Sequence, residues 1–196
     1  MTTLNVKLTF NEFILGTSPS NPDLFLDYVA SKAPDASTVE DEVASLGVAE
    51  YADKSMTVFP RTKDGQPFLY DYQIKGFFKD AAGMLRKIPG TESSKIKAYK
   101  KEIDGLIFPQ PREIIFEDYG TIAVEQRSLR ASTPQGERTA LAISEKIEAG
   151  ASVTFSIVIL KDDLVPVVRE WLDYGILRGI GQWRNSGAGR FTCEIL

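Results

Sequence analysis

The sequence predicts an α+β fold built on a ferredoxin-like, RRM-like β-α-β-β-α-β core. Three observations predict it. Residues 5–10 alternate, with Val6, Leu8 and Phe10 on one face, the period of a half-buried strand. In 73–87, Ile74, Phe77, Phe78, Ala81, Met84 and Leu85 recur at three- and four-residue spacing, as an amphipathic helix requires. The C-terminal part then supplies two strands within 139–160 as a hairpin, a helix over 163–175 and a strand over 190–195. In that order the elements make the ferredoxin-like set. Residues 11–72 and 88–138 become two large insertions in a single domain spanning 1–196, as the length of 196 residues favours.

Each element has its own local cause. The stretch 16–22 holds two prolines, one glycine and small polar residues, and reads as a loop. Residues 23–30 are a short helix candidate. Ser37 with Glu40 has capping-box spacing for another. Asp64-Gly65 between apolar runs 56–59 and 68–72 predicts a hairpin. Pro89-Gly90 stops the helix over 73–87. Residues 96–103 form a weaker basic helix, and 107–108 and 113–116 are short strands around Pro109 and Pro111. Residues 121–129 alternate as a strand, and Thr133-Pro-Gln-Gly136 is a turn. Asp162-Asp163 opens the last helix, with Pro166 in its first turn, where proline is tolerated.

Composition excludes several function classes. There is no histidine, so no imidazole base and no histidine-ligated metal. The single Cys193 forms no internal disulfide and builds no zinc site. Neither cofactor nor metal is expected. No run of about 18 apolar residues predicts a membrane span, and residues 1–10 resemble no targeting segment. A cytoplasmic protein without membrane contact is expected.

Charge is uneven. The formal net charge is −4, yet residues 75–101 carry Lys75, Lys79, Arg86, Lys87, Lys95, Lys97, Lys100 and Lys101 against Asp80 and Glu92 alone. Such a patch attracts phosphates even on an acidic protein. Conversely, Asp23, Asp27, Asp35, Glu40, Asp41, Glu42 and Glu50 face only Lys32 within 23–50.

Residues 179–189 hold the second signal: Gly179, Gly181, Gly187 and Gly189, with Trp183 inside and Arg178, Arg184 and Arg190 around them. The segment lacks the Gly-Lys-Ser/Thr of a phosphate loop. It also follows a helix and precedes a strand, the reverse of a dinucleotide fingerprint. It offers backbone amides without side chains in the way, forked guanidinium donors and an indole for stacking.

Three stretches together resemble the RAMP superfamily, the RNA-binding proteins of CRISPR effector complexes. Tyr72-Gln-Ile-Lys-Gly-Phe-Phe-Lys-Asp-Ala-Ala82 is similar to the family's Lys-Gly helix start. Glu145-Lys-Ile-Glu-Ala-Gly-Ala-Ser-Val-Thr-Phe-Ser-Ile157 resembles its hairpin. Leu177-Arg-Gly-Ile-Gly-Gln-Trp-Arg-Asn-Ser-Gly-Ala-Gly-Arg-Phe191 resembles its C-terminal glycine-rich signature. The likeness covers about 80 residues and leaves both insertions unexplained. Gln73-Ile74 stands where backbone-forming members have a serine. With no histidine, and with Asp23 in a context unlike the family's catalytic loop, cleavage is not carried over.

The resemblance implies a non-catalytic protein that binds RNA or another single-stranded nucleic acid. It contacts the strand through Lys75, Gly76, Lys79, Arg178, Trp183, Arg184, Gly187, Gly189 and Arg190. Partners would be single-stranded RNA, further copies of the chain along the strand, or other effector subunits. A chain this short and divergent also fits a phage-encoded member. The expected geometry is one cationic hollow. Lys75-Gly76 holds one phosphate, the glycine loop with Arg184 and Arg190 holds another, and Trp183 or Tyr72 stacks on a base. Splayed bases suit such stacking, which favours RNA over duplex DNA. The alternative is a phage-type protein-binding module, or an inhibitor of a nucleic-acid enzyme, acting through the acidic surface around 23–53. Asp162, Asp163 and Glu170 as a metal site is a third reading, weaker than helix capping.

Overall fold

A computed structural model of the chain describes residues 1–20, 56–133 and 136–196, with the side chains of 129–140 outside that description. The predicted helices at 23–30 and after Ser37, and the acidic stretch 23–53, lie outside the described residues. In chain order the elements are β1 (Thr2–Phe10), β2 (Ile14–Leu15), β3 (Ser18–Pro19), β4 (Thr57–Val58), β5 (Phe68–Tyr70) and α1 (Asp71–Leu85). Then come α2 (Tyr99–Leu106), β6 (Ile107–Gln110), β7 (Glu113–Glu117), β8 (Ala123–Thr133), β9 (Gly136–Ile147), β10 (Ser152–Ile159), α3 (Val165–Asp173) and β11 (Phe191–Ile195). The fold is mixed α+β. The chain divides into two compact units. Unit 1 holds 1–14, 60–121 and 147–196, and unit 2 holds 15–59 and 122–146.

Unit 1 is a sheet with helices against its apolar side. Its strand order is β11-β1-β10-β7-β5, with β6 also on β10. The pairs are antiparallel: β1 meets β10 from Thr2↔Ile159 to Thr9↔Ser152, and β11 from Val6↔Ile195 to Phe10↔Phe191. Alternation along β1 and β10 buries Leu4, Val6, Leu8 and Phe10 beside Val153, Phe155, Ile157 and Ile159. From the helices come Ile74, Phe77, Phe78, Ala81 and Leu85 of α1, and Val167, Val168, Trp171 and Leu172 of α3. Aromatic rings pack between and within the layers: Phe77 of α1 on Phe191 of β11 at 5.1 Å, Phe78 on Trp171 between the two helices at 5.4 Å, and Phe10 on Phe116 within the sheet at 5.7 Å between centroids. Each such side chain contributes about 1.5–3 kcal/mol by leaving water.

α1 begins where Tyr70 N donates to Gln73 Oε1 (2.7 Å) and Tyr72 N to Asp71 Oδ1 (2.8 Å), supplying acceptors for amides that a helix start leaves open. It ends as Thr91 Oγ1 donates to the carbonyls of Leu85 and Ile88 (3.0 Å each). A second clamp ties the turn at 93–95 to α3. The Glu170 carboxylate accepts from Glu92 N (2.7 Å), Ser93 N (2.9 Å) and Ser93 Oγ (2.5 Å), and Trp171 Nε1 donates to Ser93 Oγ (2.8 Å).

Unit 2 is a sheet of order β2-β9-β4-β3, with β8 on the other side of β9. β8 and β9 form a long antiparallel hairpin from Ala123↔Lys146 to Thr133↔Gly136. The carboxylate of Glu145 accepts from Phe59 N (2.8 Å), and Ser144 Oγ lies 2.7 Å from Thr57 Oγ1.

Two strand pairings correct the sequence reading. The expected hairpin within 139–160 does not form: β9 pairs with β8, and β10 pairs with β1 on one side and with β6 and β7 on the other. The turn before β10 feeds β1 instead, with Phe10 N donating to Ala151 O and Gly150 N to Phe10 O, both at 2.8 Å. A central strand has two hydrogen-bonding edges, and alternation says nothing about which neighbour takes either. Likewise, the turn at 61–67 closes through Thr62 N to Gln66 O (2.9 Å), but β4 pairs with β3 and β5 with β7. Parts of both expected insertions, 60–72 and 88–121, lie within unit 1.

Candidate nucleic-acid interface

The exposed side of α1 organises the site. At 100° per residue, Tyr72, Gly76 and Gly83 fall along one crest, Lys75 and Lys79 on one flank and Asp80 on the other. Tyr72 is 54% exposed, and its ring stacks on Tyr70 at 4.9 Å and 18°. Burial against that neighbour pushes the Tyr72 phenol pKa up. The Arg112 guanidinium lies 5.8 Å from the Tyr70 ring centre. Gly76 is exposed, and a Cβ placed on it would meet nothing within 4 Å.

Lys75 and Lys79 turn towards α2 and β6. Lys75 Nζ donates to the carbonyl of Asp104 (3.2 Å) and sits 4.4 Å from the Phe108 ring centre. Lys79 Nζ pairs with Asp104 Oδ1 at 2.6 Å.

The opposite flank meets the glycine loop. Arg178 Nε donates to Asp80 Oδ2 (2.7 Å) and its Nη2 reaches Oδ1 (3.5 Å), while Arg184 Nη1 donates to Asp80 Oδ2 (3.0 Å). Asp80, at 19% side-chain exposure, is therefore the junction of helix and loop. Its carboxylate holds the Arg178 guanidinium pKa above the usual value. Arg178 Nη1 also donates to Asn185 Oδ1 (2.5 Å). Trp183 is half-buried and stands in the left-handed region at φ 59°, an outlier for a bulky residue. Its carbonyl accepts from Ser186 N (2.9 Å) and Ala188 N (3.3 Å), which fixes that bend. Arg190 lays its guanidinium against Gly187: a Cβ there would come within 3.6 Å of Arg190 Cζ. Arg190 Nε is buried without a hydrogen-bond partner among the described residues.

The loop and α1 thus adjoin, but three expectations change. The cations line two flanks of α1 and do not form one hollow, because Lys75 and Lys79 are drawn to Asp104 and Phe108. The loop does not present a run of open amides. Ser186 N and Ala188 N bond to Trp183 O, Gly187 N to Arg184 O and Gly189 N to Phe13 O. Gly189 serves the loop's own packing: it is buried, and a Cβ on it would strike the Ile180 carbonyl. Sequence reasoning missed Asp80 as the junction, although it and Glu92 are the two acids among the eight cations of 75–101. It also missed Tyr70, two residues before Tyr72, and Arg112, which the fold brings over the Tyr70 ring. The acids weighed as a metal site are otherwise engaged. Asp162 pairs with the amino terminus (3.1 Å) and Thr2 Oγ1 (2.7 Å), which draw its pKa down. Asp163 pairs with Lys161 (3.2 Å), and Glu170 holds the 93–95 turn.

No family model matches the chain, and no curated protein matches it. A solved structure does, over 100% of this chain, with a TM-score of 0.55 and 12% identity: a chain in the cryo-EM structure of the Type III-B Cmr-beta bound to cognate target RNA. The likeness is one of fold. The present chain spans 60% of that chain's length. Among the described residues no helix is long and apolar enough to cross a membrane.

Proposed function

We propose that the chain is a non-catalytic, single-stranded RNA-binding protein of the RAMP type, with a ferredoxin-like core, working as a subunit along an RNA strand. The observation that carries this reading is the Asp80 junction. It seats Arg178 and Arg184 along one flank of α1 while Lys75 and Lys79 line the other, with Tyr72 and bare Gly76 on the crest between them. Guanidinium forks and ammonium groups take phosphates, and an exposed ring takes a base. Gly76 lets a backbone come close. Arg190, resting on Gly187, adds a further donor at the loop's end. The order β11-β1-β10-β6, with α1 and α3 as the crossovers, supports the ferredoxin-like core. The fold shared with a chain from an RNA-bound assembly supports the ligand class. No reaction is assigned, because the chain has no histidine and the family likeness carries over no cleaving residue.

The test is fluorescence anisotropy with a 20-nucleotide single-stranded RNA, at a series of salt concentrations. The expected result is binding at low salt that weakens by about 0.7 in log Kd per log salt for each phosphate held. Arg184→Ala with Arg190→Ala, its folding checked by circular dichroism, should weaken binding at least about tenfold. No binding at low salt, or a folded double variant that binds like the parent, removes the proposal.

A further inference from the structure

A second concavity lies at the far end of α1. Its last two turns and Tyr99, the first residue of α2, border a groove of about 460 Å³ lined by Lys79, Asp80, Gly83, Arg86, Lys87 and Tyr99. The Arg86 guanidinium sits 5.3 Å from the Tyr99 ring centre. Gly83 forms the floor, where a Cβ would stand 3.4 Å from Tyr99 Oη. Among the described residues the one carboxylate lining it, Asp80, is held by Arg178 and Arg184. Arg86 and Lys87 make no ion pair among the described residues.

The neighbouring sequence is rich in lysine. Lys97 precedes α2, and Lys100 and Lys101 lie in its first turn, all exposed. Cations at the end of α1 suit the negative end of its dipole, which is an ordinary structural reason for Arg86 and Lys87. Lys100 and Lys101 have no such reason, since they stand at the positive end of α2. The groove itself takes its open cations from the end of α1, where Arg86 and Lys87 line it, while α2 contributes Tyr99. An external anion would give those two cations the partner they lack.

We propose that this groove is a second phosphate-binding site, holding a backbone phosphate of the same single-stranded RNA between Arg86 and Lys87. This rests on the reading of the chain as an RNA-binding protein. Gly83 lies seven residues beyond Gly76, about 10 Å along the helix axis, so one strand can follow α1 from bare Gly76 to the groove. An acidic peptide is the weaker occupant, because peptide grooves use apolar anchors or a free strand edge. Among the described residues Met84 is the one aliphatic side chain at this groove.

The experiment is a titration of the full ¹⁵N-labelled chain with the 20-nucleotide RNA, followed by NMR, alongside anisotropy on Arg86→Ala with Lys87→Ala. Both residues are exposed, so the variant should keep its fold. Expected are amide shifts at Gly83 and Tyr99 together with those at Gly76 and Gly187. The variant should bind about 25-fold more weakly at about 0.1 M salt, with the salt slope flattened by about 1.4 for two lost ionic contacts. Shifts confined to Gly76 and Gly187, with variant affinity unchanged, overturn the groove and leave the proposed function standing. Shifts confined to Gly83 and Tyr99 keep the groove and overturn the loop junction as the RNA site. No shift anywhere removes both. Poly-glutamate moving Gly83 and Tyr99 where RNA does not makes the groove a protein-docking surface and overturns the phosphate assignment.

Discussion

Replacing Asp80 with asparagine separates holding the loop from binding the ligand, because the two respond with opposite signs. The carboxylate receives Arg178 at 2.7 and 3.5 Å and Arg184 at 3.0 Å, and the three side chains are 19%, 23% and 32% exposed. Hydrogen bonds to charged groups contribute about 1.5–3 kcal/mol each, and neutral ones about 0.5–1.5 kcal/mol. Asparagine keeps the shape and one acceptor oxygen but not the charge. The loss is then about 1 kcal/mol for each arginine, and the two guanidinium groups are left facing each other unscreened. Asp80→Asn should therefore lose about 2–3 kcal/mol. At a urea slope of about 2–3 kcal/mol per molar, the unfolding midpoint falls by about 1 M. RNA binding moves the other way. The variant gains one positive charge on the flank, which steepens the salt slope by about 0.7 and tightens binding about fivefold at 0.1 M salt. Urea unfolding and anisotropy on the same preparation read both quantities. An unchanged midpoint refutes the junction. Affinity that falls together with stability refutes the placement of these arginines on the ligand's path.

Three further outcomes follow from the same coordinates. Gly76→Ala should stabilise the free chain by about 1 kcal/mol, since alanine is the better helix former and its Cβ meets nothing, yet weaken RNA binding; paired melting and anisotropy check it, and unweakened binding sinks the close-approach role. Ser93→Ala should destabilise by about 3 kcal/mol in urea unfolding, because it strands the buried Trp171 Nε1 and takes a donor from Glu170. Burial pushes the Cys193 thiol up to about 11 from 9.0. The folded chain thus holds that proton more tightly than the unfolded one, so stability falls as pH rises from about 9 through 11. Iodoacetamide should label native Cys193 far more slowly at pH 8 than it labels the urea-unfolded chain.

The elements closest to the proposed site were legible from short-range pattern. Val6, Leu8 and Phe10 announced β1 by alternation, and Ile74, Phe77, Phe78 and Ala81 announced α1 by its period. Pro89-Gly90 marked where α1 stops. The arginine-flanked glycine segment was visible as a loop, and the cation cluster of 75–101 as a phosphate-attracting surface. What the glycines do was not legible. Gly187 and Gly189 read alike in sequence, yet Gly187 supports Arg190 while Gly189 is buried against Ile180.

By itself the sequence determined which segments are helix or strand in unit 1, where the loops fall, and that the chain carries no histidine and a single cysteine. These are set by residue identity and by spacing over one or two turns, which neighbouring residues enforce on one another. Only the tertiary structure decided that β9 pairs with β8 while β10 lies between β1 and β6, that Asp80 draws in Arg178 and Arg184, and that Lys75 and Lys79 turn to Asp104. Each of these joins residues far apart along the chain. Such contacts depend on which surfaces pack together, and no local period encodes that choice.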